Sequence, residues 1–269
     1  MTTVIVSPHL DDAALSLGGS IARWTAAGER VVIATVYTTG PPLEELAPEM
    51  HAFADYATRT AEDAAACRLL GAESLHLGHV ERAFRQPFLA QWSFFHTPAR
   101  SGFEPIDLAA IAALDPDRIV LPLGIGNHVD HVAVLVAAWD WANRCGLRDR
   151  LRFYEDFYAL SAPLRALHPV ARTRMWTGGD APLAGSPELA AILETIAERA
   201  GGPGIDELLG PCRWTVEVSP IDEPRSLAAI ACYATQIRTF GGRAGVTSAY
   251  QRFHAWWGGE PLWSAVGVE

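Results

Sequence analysis

Two short segments of the sequence concentrate the side chains that bind metals and transfer protons. The first spans residues 7–12 (Ser-Pro-His-Leu-Asp-Asp) and the second spans residues 127–131 (Asn-His-Val-Asp-His). A catalytic zinc ion takes three protein ligands from His, Asp, Glu and Cys, and it leaves a fourth position open for water. His9, Asp12 and His131 supply such a set. Because a bound ion lowers the pKa of its water to about 7, the pattern predicts a hydrolytic metal site.

Asp11 stands beside the predicted ligand Asp12 and offers the carboxylate that such a site needs as a proton acceptor. The same residues also have a structural interpretation. An Asp-Asp pair at the start of a helix is a common N-cap and dipole arrangement, and His128 and His131 at another helix start are compatible with a plain surface. The functional interpretation is favoured because both segments combine His with Asp, and both lie between a strand and a helix.

Hydrophobic periodicity predicts that strands and helices alternate through the first half of the chain. The predicted strands cover residues 3–7, 31–39, 74–78 and 118–123, and the predicted helices cover residues 12–28, 50–71 and 129–144. This alternation predicts parallel strands joined by right-handed helical crossovers. Ligands bind beyond the carboxyl ends of such strands. Since each reactive segment directly follows a strand, we expect both segments at the same edge of one sheet.

The second half of the chain has weaker patterns. Residues 151–158 and 172–176 are predicted strands, residues 178–185 and 201–204 are predicted loops, and residues 224–240 are a predicted helix. The sequence contains neither an internal repeat nor a recognisable linker. We therefore expect one domain that spans residues 1–269.

The bulk composition excludes several classes of function. The net charge is −10 and the sequence pI is about 5.4, which disfavours a nucleic-acid-binding surface. The apolar runs have the length of strands, so no membrane span is expected. The N-terminus lacks the pattern of a signal peptide, and the four cysteines lack metal-finger spacing. We expect buried thiols, without a catalytic role, in a cytoplasmic protein. Gly18-Gly19 lacks the spacing of a dinucleotide-binding loop.

The two reactive segments resemble the signature of the PIG-L or LmbE-like de-N-acetylases, a family that includes N-acetylglucosaminyl-phosphatidylinositol de-N-acetylases. That family has a His-Pro-Asp-Asp-Glu type motif near its N-terminus and, in mid-chain, a His that is followed shortly by an Asp-His pair. Here residues 9–13 read His-Leu-Asp-Asp-Ala and residues 128–131 read His-Val-Asp-His. The resemblance implies a Rossmann-like α/β fold with a mostly parallel sheet flanked by helices, which agrees with the independent prediction.

The resemblance also implies roles for the motif residues. It makes His9, Asp12 and His131 the metal ligands and Asp11 the general base. It makes His128 the residue that stabilises the oxyanion or acts as an acid. The implied ion is Zn²⁺, although a His-Asp-His set also accepts other divalent ions such as Fe²⁺.

Three further residues gain roles from the resemblance. Asp130 would orient a histidine, which is a common task beside a metal site. Arg59, in an Arg-x-x-Glu segment, and Glu81, in the segment Leu-Gly-His-Val-Glu, correspond to positions that contact the substrate. The pattern Tyr233-x-x-Gln236 and the ending at residues 258–266 also resemble the family.

Two features depart from the family pattern. Ala13 replaces the usual motif Glu, so the support around Asp12 must differ. Residues 83–105 form a long aromatic segment that does not align with the family core. Aromatic loops beside an active site act as lids or stack on sugars. Packing against the domain is the favoured interpretation of this segment, because aromatic residues dominate cores as well.

The expected function is hydrolysis of an N-acetyl or other N-acyl group on an amino sugar or a sugar-containing natural product. The expected partner is therefore a small amino-sugar or glycoside substrate. Two alternatives remain open. One is an amidase that acts on a larger thiol or glycoside conjugate, and the other is a non-catalytic sugar-binding module with the same fold.

Overall fold

The computed structural model describes residues 1–85, 91–176 and 181–266. Within these ranges, seven strands form one sheet. The strands are β1 (Thr2–Ser7), β2 (Arg30–Thr39), β3 (Glu73–Val80), β4 (Arg118–Pro122), β5 (Leu151–Tyr154), β6 (Arg213–Ser219) and β7 (Glu260–Val266).

Helices cover both faces of this sheet. They are α1 (Asp12–Ala26), α2 (His51–Ala54), α3 (Tyr56–Leu70), α4 (Ala109–Ala112), α5 (Val129–Arg144), α6 (Ala162–Leu167), α7 (Pro187–Ala197), α8 (Gly204–Leu209), α9 (Glu223–Ile230), α10 (Ala234–Ile237) and α11 (Gly242–Trp257). None of the helices in the described part of the chain is long and apolar enough to cross a membrane.

The strand order is β3-β2-β1-β4-β5-β7-β6. The first five strands run parallel to one another, and β7 pairs antiparallel with both β5 and β6. The sheet is therefore mostly parallel, and the predicted α/β fold is confirmed. The antiparallel pair at one side belongs to the half of the chain whose sequence patterns are weak.

Burial on both faces explains the β-branched composition of the central strands. Val4 and Val6 of β1 pack into one hydrophobic cluster, and Ile5 between them packs into another on the opposite face. Successive side chains of a strand point to opposite faces, so the two clusters cover the two sides of the sheet. A strand that is buried on both sides needs a continuous apolar run, which is what residues 4–6 provide.

The two reactive segments meet because β1 and β4 are neighbours. These strands pair in parallel, with Ile5 opposite Val120, so the loops that follow them leave at the same edge of the sheet. The loop after β4 turns sharply, with positive φ angles at Gly124 (76°), Gly126 (88°) and Asn127 (56°). This turn redirects the chain into α5, whose first residues carry the second motif.

Helix α1 is kinked at Leu17, which has φ −136° and ψ 15°. A kink leaves N–H groups without helical acceptors. The fully buried Glu260, the first residue of β7, accepts hydrogen bonds from the N–H groups of Gly19 and Ser20 at 2.9 and 2.7 Å. A Cβ at Gly18 would lie 2.8 Å from the Ser226 hydroxyl oxygen, so this glycine permits close packing of α1 on α9.

The element predictions agree with the structure over most of the first half and fail at one helix there. The predicted helix 50–71 divides into α2 and α3 at Asp55, whose carboxylate accepts a hydrogen bond from the Thr58 N–H at 3.0 Å. Gly71, with φ 73°, ends α3 as expected. The split makes Asp55 an N-cap rather than an interior helix residue.

The second half requires more correction. The predicted strand 151–158 ends at Tyr154, and residues 157–160 form a 3₁₀ turn. The predicted strand 172–176 is absent, because residues 171–173 form another 3₁₀ turn. The predicted helix 224–240 is interrupted between α9 and α10. Strand β6 has no counterpart among the predicted elements, and part of the predicted loop 178–185 lies outside the described residues.

The aromatic segment 83–105 lies partly within the described structure. It contains 3₁₀ turns at Gln91–Phe95 and Arg100–Gly102 and follows one at Arg82–Phe84, while residues 86–90 lie outside the described ranges. Several of its rings face the site described next. The described part of the segment therefore lies beside the reactive residues, and its packing role stays a prediction.

Candidate active site

Three side chains from the two motifs converge on one point at the sheet edge. His9 Nδ1 lies 3.2 Å from Asp12 Oδ2, and His131 Nε2 lies 3.3 Å from the same oxygen. One ligand atom from each of the three residues lies within 4.8 Å of the others. This spacing suits a single ion held between two imidazole nitrogens and one carboxylate oxygen. The three residues that the sequence predicts as ligands are thus brought together.

The loop after β1 is held in shape by its own side chains. Asp12 Oδ2 accepts a hydrogen bond from the His9 N–H at 2.8 Å. Ser7 Oγ donates to the carbonyl of His9 at 2.6 Å and accepts from the Ala13 N–H at 3.1 Å. Ala13 itself is buried in the hydrophobic cluster beneath α1. With Ala at position 13, the support around Asp12 comes from backbone contacts and a serine.

The second nitrogen of each histidine in this cluster faces a carboxylate. His9 Nε2 lies 3.3 Å from Asp130 Oδ2, and His131 Nδ1 lies 2.6 Å from Asp156 Oδ1. Asp130 contacts a histidine as the resemblance implies. Sequence reasoning missed Asp156, because one Asp near the end of a strand carries no motif. Its signal is positional: it follows β5, the neighbour of β4, at the edge of the sheet where ligands bind.

Asp11 lies on the floor of the cavity above these residues. It occupies the N-cap position of α1, yet its carboxylate makes no capping hydrogen bond to that helix. Burial and the neighbouring charge of Asp12 raise the pKa of Asp11 to about 6. A carboxylate with this pKa accepts a proton more readily than an exposed one, which suits a general base.

The charges of the cluster shift its pKa values in opposite directions. Burial would raise the pKa of Asp12, but His131 and His9 lower it well below the usual range. Burial would lower the pKa of His131, but Asp12 and Asp156 raise it. These shifts show that the side chains form one electrostatic unit, in which the negative charge of Asp12 is balanced by its neighbours.

His128 is packed between aromatic rings. The rings of Phe94 and Tyr158 lie nearly parallel to it, with interplanar angles of 11° and 12° and centroid distances of 6.2 and 6.3 Å. Its Nδ1 accepts a hydrogen bond from the Asp130 N–H at 3.3 Å, so the neutral ring carries its proton on Nε2. Burial, His131 and His9 lower the pKa of His128 to about 3. The ring is therefore a neutral hydrogen-bond donor.

Arg59 and Glu81, the two predicted substrate residues, contact each other. Arg59 Nη1 donates to Glu81 Oε1 at 2.5 Å and to the carbonyl of Phe53 at 2.8 Å. Both side chains line the cavity, and Arg59 Nε is buried without a hydrogen-bond partner. Burial would lower the pKa of Arg59, but Glu81 raises it above its usual value. The pair places a fixed positive group beside Asp11.

The cavity above the cluster has a volume of about 450 Å³, which is within the range of small-molecule sites. Its floor holds the motif residues, and Gln236 adds an amide to the polar lining. Its walls are apolar and are contributed by Met50, Phe53, Phe84, Phe94, Phe95, Ile192, Ile196 and Phe240. Sequence reasoning missed the contribution of α7, because an amphipathic helix far along the chain gives no sign of which cavity it faces.

A second grouping shares one residue with the first. His9, His128 and Asp130 also bring one ligand atom each within 4.8 Å. Asp130 is however engaged by the Arg82 N–H at 3.0 Å and by Arg85 Nη2 at 3.1 Å. A guanidinium group at that distance disfavours a cation, so the grouping around Asp12 is the better metal site.

Comparison with known proteins places this site in a family. The family model described as PIG-L, GlcNAc-PI de-N-acetylase, matches residues 4–142, which include both motifs. A search of the curated proteins finds no match.

Solved structures with the same fold extend over the full chain. The A40926 pseudoaglycone deacetylase is 23% identical, with a TM-score of 0.62 and coverage of 99% of this chain and 98% of that one. A deacetylase solved with teicoplanin, from the teicoplanin biosynthesis pathway, is 20% identical, with a TM-score of 0.63 and full coverage of both chains (100% and 100%). A conserved protein of Thermus thermophilus is 18% identical, with a TM-score of 0.55 and coverage of 98% and 94%.

Proposed function

Because the chain belongs to the PIG-L family of GlcNAc-PI de-N-acetylases, we propose that it is a metal-dependent hydrolase that removes an N-acetyl or other N-acyl group. The proposed substrate is an amino sugar or a sugar-containing natural product. One observation carries the proposal: His9, Asp12 and His131 converge within 4.8 Å at the floor of a cavity that Asp11 also lines. We also infer a cytoplasmic location, which the free cysteines support.

The donor set fits a zinc ion. Two neutral imidazoles and one carboxylate form a three-ligand set that leaves a position for water, and each imidazole has a carboxylate behind its other nitrogen. His9, Asp12 and His131 would hold the ion. When bound, it supplies a Lewis acid for the amide carbonyl and a water of lowered pKa. Fe²⁺ fits the same nitrogen and oxygen ligands, and zinc is proposed for its preference for a tetrahedral site.

Asp11 accepts the proton of the attacking water in this proposal. It lies beside the ligand Asp12, its carboxylate is free of the helix that it caps, and its pKa of about 6 keeps it ionised at neutral pH. After the attack, the same carboxylic acid is placed to return the proton to the leaving amine.

His128 stabilises the negative charge that develops on the carbonyl oxygen. Its Nδ1 accepts from the backbone, so its Nε2–H is the group available to the substrate. The stacked rings of Phe94 and Tyr158 hold the imidazole in one plane. A preoriented donor of this kind acts where charge forms in the transition state. Proton donation by a His128 imidazolium is disfavoured, because the aromatic pocket does not solvate a positive charge on the ring.

The polar lining and the apolar walls suggest which parts of a substrate bind where. Arg59, Glu81 and Gln236 offer hydrogen bonds to sugar hydroxyl groups beside the reacting amide. The walls formed by phenylalanine and isoleucine side chains fit an alkyl or aryl substituent. Such a substrate is better described as a glycoside or acylated natural product than as free N-acetylglucosamine. The same walls also accommodate the larger conjugate of an amidase.

The direct test measures acetate release from N-acetylglucosamine and from its octyl glycoside. The protein is assayed as purified, after chelation, and after zinc is restored. We expect turnover that chelation abolishes and zinc restores, with the octyl glycoside preferred. Binding of either sugar without chelator-sensitive release would instead support a non-catalytic module. Release of an amine only from bulkier acyl conjugates would support the amidase.

The apolar walls are tested by Ile192→Ser on α7. We expect a roughly tenfold higher KM for the octyl glycoside, because apolar area of the binding surface is lost, and little change for N-acetylglucosamine. Leu69→Ser is the matched control, since Leu69 is an exposed apolar residue on α3 that does not line the cavity. An equal effect of Ile192→Ser on both substrates would contradict binding of the alkyl group at this wall.

A further inference from the structure

We infer that Asp156 is a positioning residue of the metal centre: it fixes the tautomer of His131 and ties the loop after β4 to the end of β5. This inference rests on the proposed metal-dependent function. Asp156 lies outside residues 4–142, the part of the chain that matches the family model, and no sequence motif marks it. Its place in the structure comes entirely from the strand that precedes it.

The two oxygens of the Asp156 carboxylate make different contacts. Oδ1 lies 2.6 Å from His131 Nδ1. Oδ2 accepts hydrogen bonds from the backbone N–H groups of Gly124 and Ile125, at 2.7 and 3.0 Å. The side chain is buried, with only 2% of the residue exposed. One carboxylate thus joins a predicted metal ligand to the turn that leads into α5.

The contact with His131 determines which nitrogen is available to a metal ion. An ionised carboxylate only accepts hydrogen bonds, so the hydrogen of the neutral imidazole must lie on Nδ1. The lone pair is then on Nε2, which is the nitrogen that faces Asp12 at 3.3 Å. A carboxylate in this position also raises the basicity of the ligand nitrogen. The short contact therefore holds His131 with its Nε2 toward the other two predicted ligands.

The contact with the backbone determines where the second motif lies. Gly124 has φ 76°, and it begins the turn that carries His128, Asp130 and His131. The N–H groups of Gly124 and Ile125 face away from any strand partner, and Asp156 supplies their acceptor. Leu123 also donates its N–H to the carbonyl of Tyr154 at 2.9 Å, so β5 and the loop after β4 are bound together at two adjacent points.

Glu155, the residue before Asp156, fixes the backbone at the end of β5. Glu155 is fully buried and forms an ion pair with Arg165, and it accepts hydrogen bonds from the indole N–H groups of Trp257 and Trp263. Two successive acidic residues therefore face two different environments. Glu155 fixes the end of β5 to the C-terminal elements, and Asp156 transmits that fixed position to His131. Asp130 differs from Asp156, because Asp130 shares its charge with Arg85.

The substitution Asp156→Asn tests the inference. The asparagine amide has one acceptor oxygen, and its other terminal atom is a donor nitrogen. It therefore cannot accept hydrogen bonds from His131 Nδ1 and from the two backbone N–H groups at once. We expect zinc affinity, measured by competition with a chromophoric chelator, to fall roughly 10- to 100-fold. We also expect the visible absorption spectrum of the Co²⁺-loaded protein to change, because the orientation of one ligand changes. A purely structural role would lower the thermal midpoint and leave that spectrum as it is.

Asp63→Asn is the matched control. Asp63 is a fully buried carboxylate that contacts His76 Nε2 at 3.2 Å and the Tyr233 hydroxyl at 2.9 Å, and it does not line the proposed active-site cavity. This variant should lose stability but keep zinc affinity and the Co²⁺ spectrum. Unchanged zinc affinity in Asp156→Asn, or an equal loss in Asp63→Asn, would overturn the inference.

A measurement on the wild-type protein tests the inference even if Asp156→Asn does not fold. Nitrogen-15 NMR of the zinc-loaded protein, with His131 assigned from the spectrum of His131→Gln, shows which ring nitrogen carries hydrogen. We expect a protonated Nδ1, with its proton shifted downfield by the short contact to Asp156. A protonated Nε2 would overturn the inference while leaving metal binding intact. Wild-type protein that binds no zinc would instead overturn the proposed function itself.

Discussion

The halves of the molecule on either side of residue 150 contribute different things to the same site. The first half, with strands β1–β4 and helix α5, carries the motif residues on loops that follow parallel strands. The second half contributes the antiparallel strands β6 and β7, the apolar wall from α7, and Asp156 behind His131. The reactive groups thus come from the first half, whereas the groups that hold them come from both halves. Asp130 behind His9 belongs to the first half, and Asp156 behind His131 belongs to the second.

This division has a physical basis. A reactive side chain must be of one particular type at one particular place, whereas a supporting contact needs only an acceptor, a donor or apolar volume at the right distance. Glu260 supports α1 by accepting two N–H groups at its kink, and any arrangement that offered two oxygens there would do the same.

The largest expected effect is on kcat, and it comes from a reactive residue of the first half, Asp11. Asp11→Asn removes the proposed proton acceptor without a capping hydrogen bond to lose. We expect kcat for deacetylation to fall by roughly 10²- to 10⁴-fold, while zinc content and the free energy of unfolding stay near those of the wild type. Steady-state kinetics with metal analysis checks this. Full activity in a zinc-loaded Asp11→Asn protein would show that another group takes the proton.

The second prediction compares an ion pair from each half. Glu155→Gln leaves the fully buried Arg165 without its carboxylate, so we expect the free energy of unfolding to fall by about 3–5 kcal/mol. Arg30→Gln in the first half breaks a solvent-exposed pair with Glu73 and should lower the free energy of unfolding far less. Urea denaturation followed by far-UV circular dichroism measures both. Similar losses in the two variants would contradict the difference between the halves.

The third prediction concerns a hydrogen bond that crosses between the halves. Nε2 of His168 donates to the carbonyl of Leu123, while Nδ1 accepts from the N–H groups of Val170 and Ala171. Burial lowers the pKa of His168 to about 3, from an unperturbed value of 6.5. Between these two pH values the unfolded chain binds a proton that the folded protein does not, so stability falls as the pH decreases below 6.5.

His168→Gln measures the size of that effect. The glutamine amide can still donate to Leu123 but does not titrate. Through this histidine, the free energy of unfolding of the wild type should be about 3 kcal/mol lower at pH 4.5 than at pH 7.5. The variant should lack this part of the decrease. Unfolding curves at the two pH values check the prediction. Parallel pH dependence in both proteins would show that His168 is not responsible.

The fold and the site are more predictable from the sequence in the first half of the chain than in the second. Strands β1, β2 and β4 of the first half are buried on both faces, so their apolar runs are continuous and easily recognised. The motifs that follow β1 and β4 are specific. His9, Asp12 and His131 are predictable as neighbours for that reason, and the structure brings them together. Their roles as ligands remain predictions.

The second half is harder to predict because tertiary contacts override its local pattern. Residues 172–176 are a predicted strand, yet Arg174 and Trp176 pack in a cluster of arginine and tryptophan side chains instead of a sheet. Asp156 escapes sequence reasoning because its function depends on the neighbour that β5 acquires in the sheet. That neighbour, β4, lies well before β5 in the chain, on the far side of α5, and no local pattern records the pairing.

The cluster around Arg165 has a further consequence for how the protein absorbs light. Trp176, Trp256, Trp257 and Trp263 form a continuous series in which successive ring centroids lie 5.2, 5.0 and 6.1 Å apart. Indole rings this close, and inclined by 67° to 87°, couple their electronic transitions. The far-ultraviolet circular dichroism of the protein should therefore contain an exciton signal from these four tryptophans. The protein thus carries a built-in optical reporter of whether the supporting half is assembled, independent of what the active site binds.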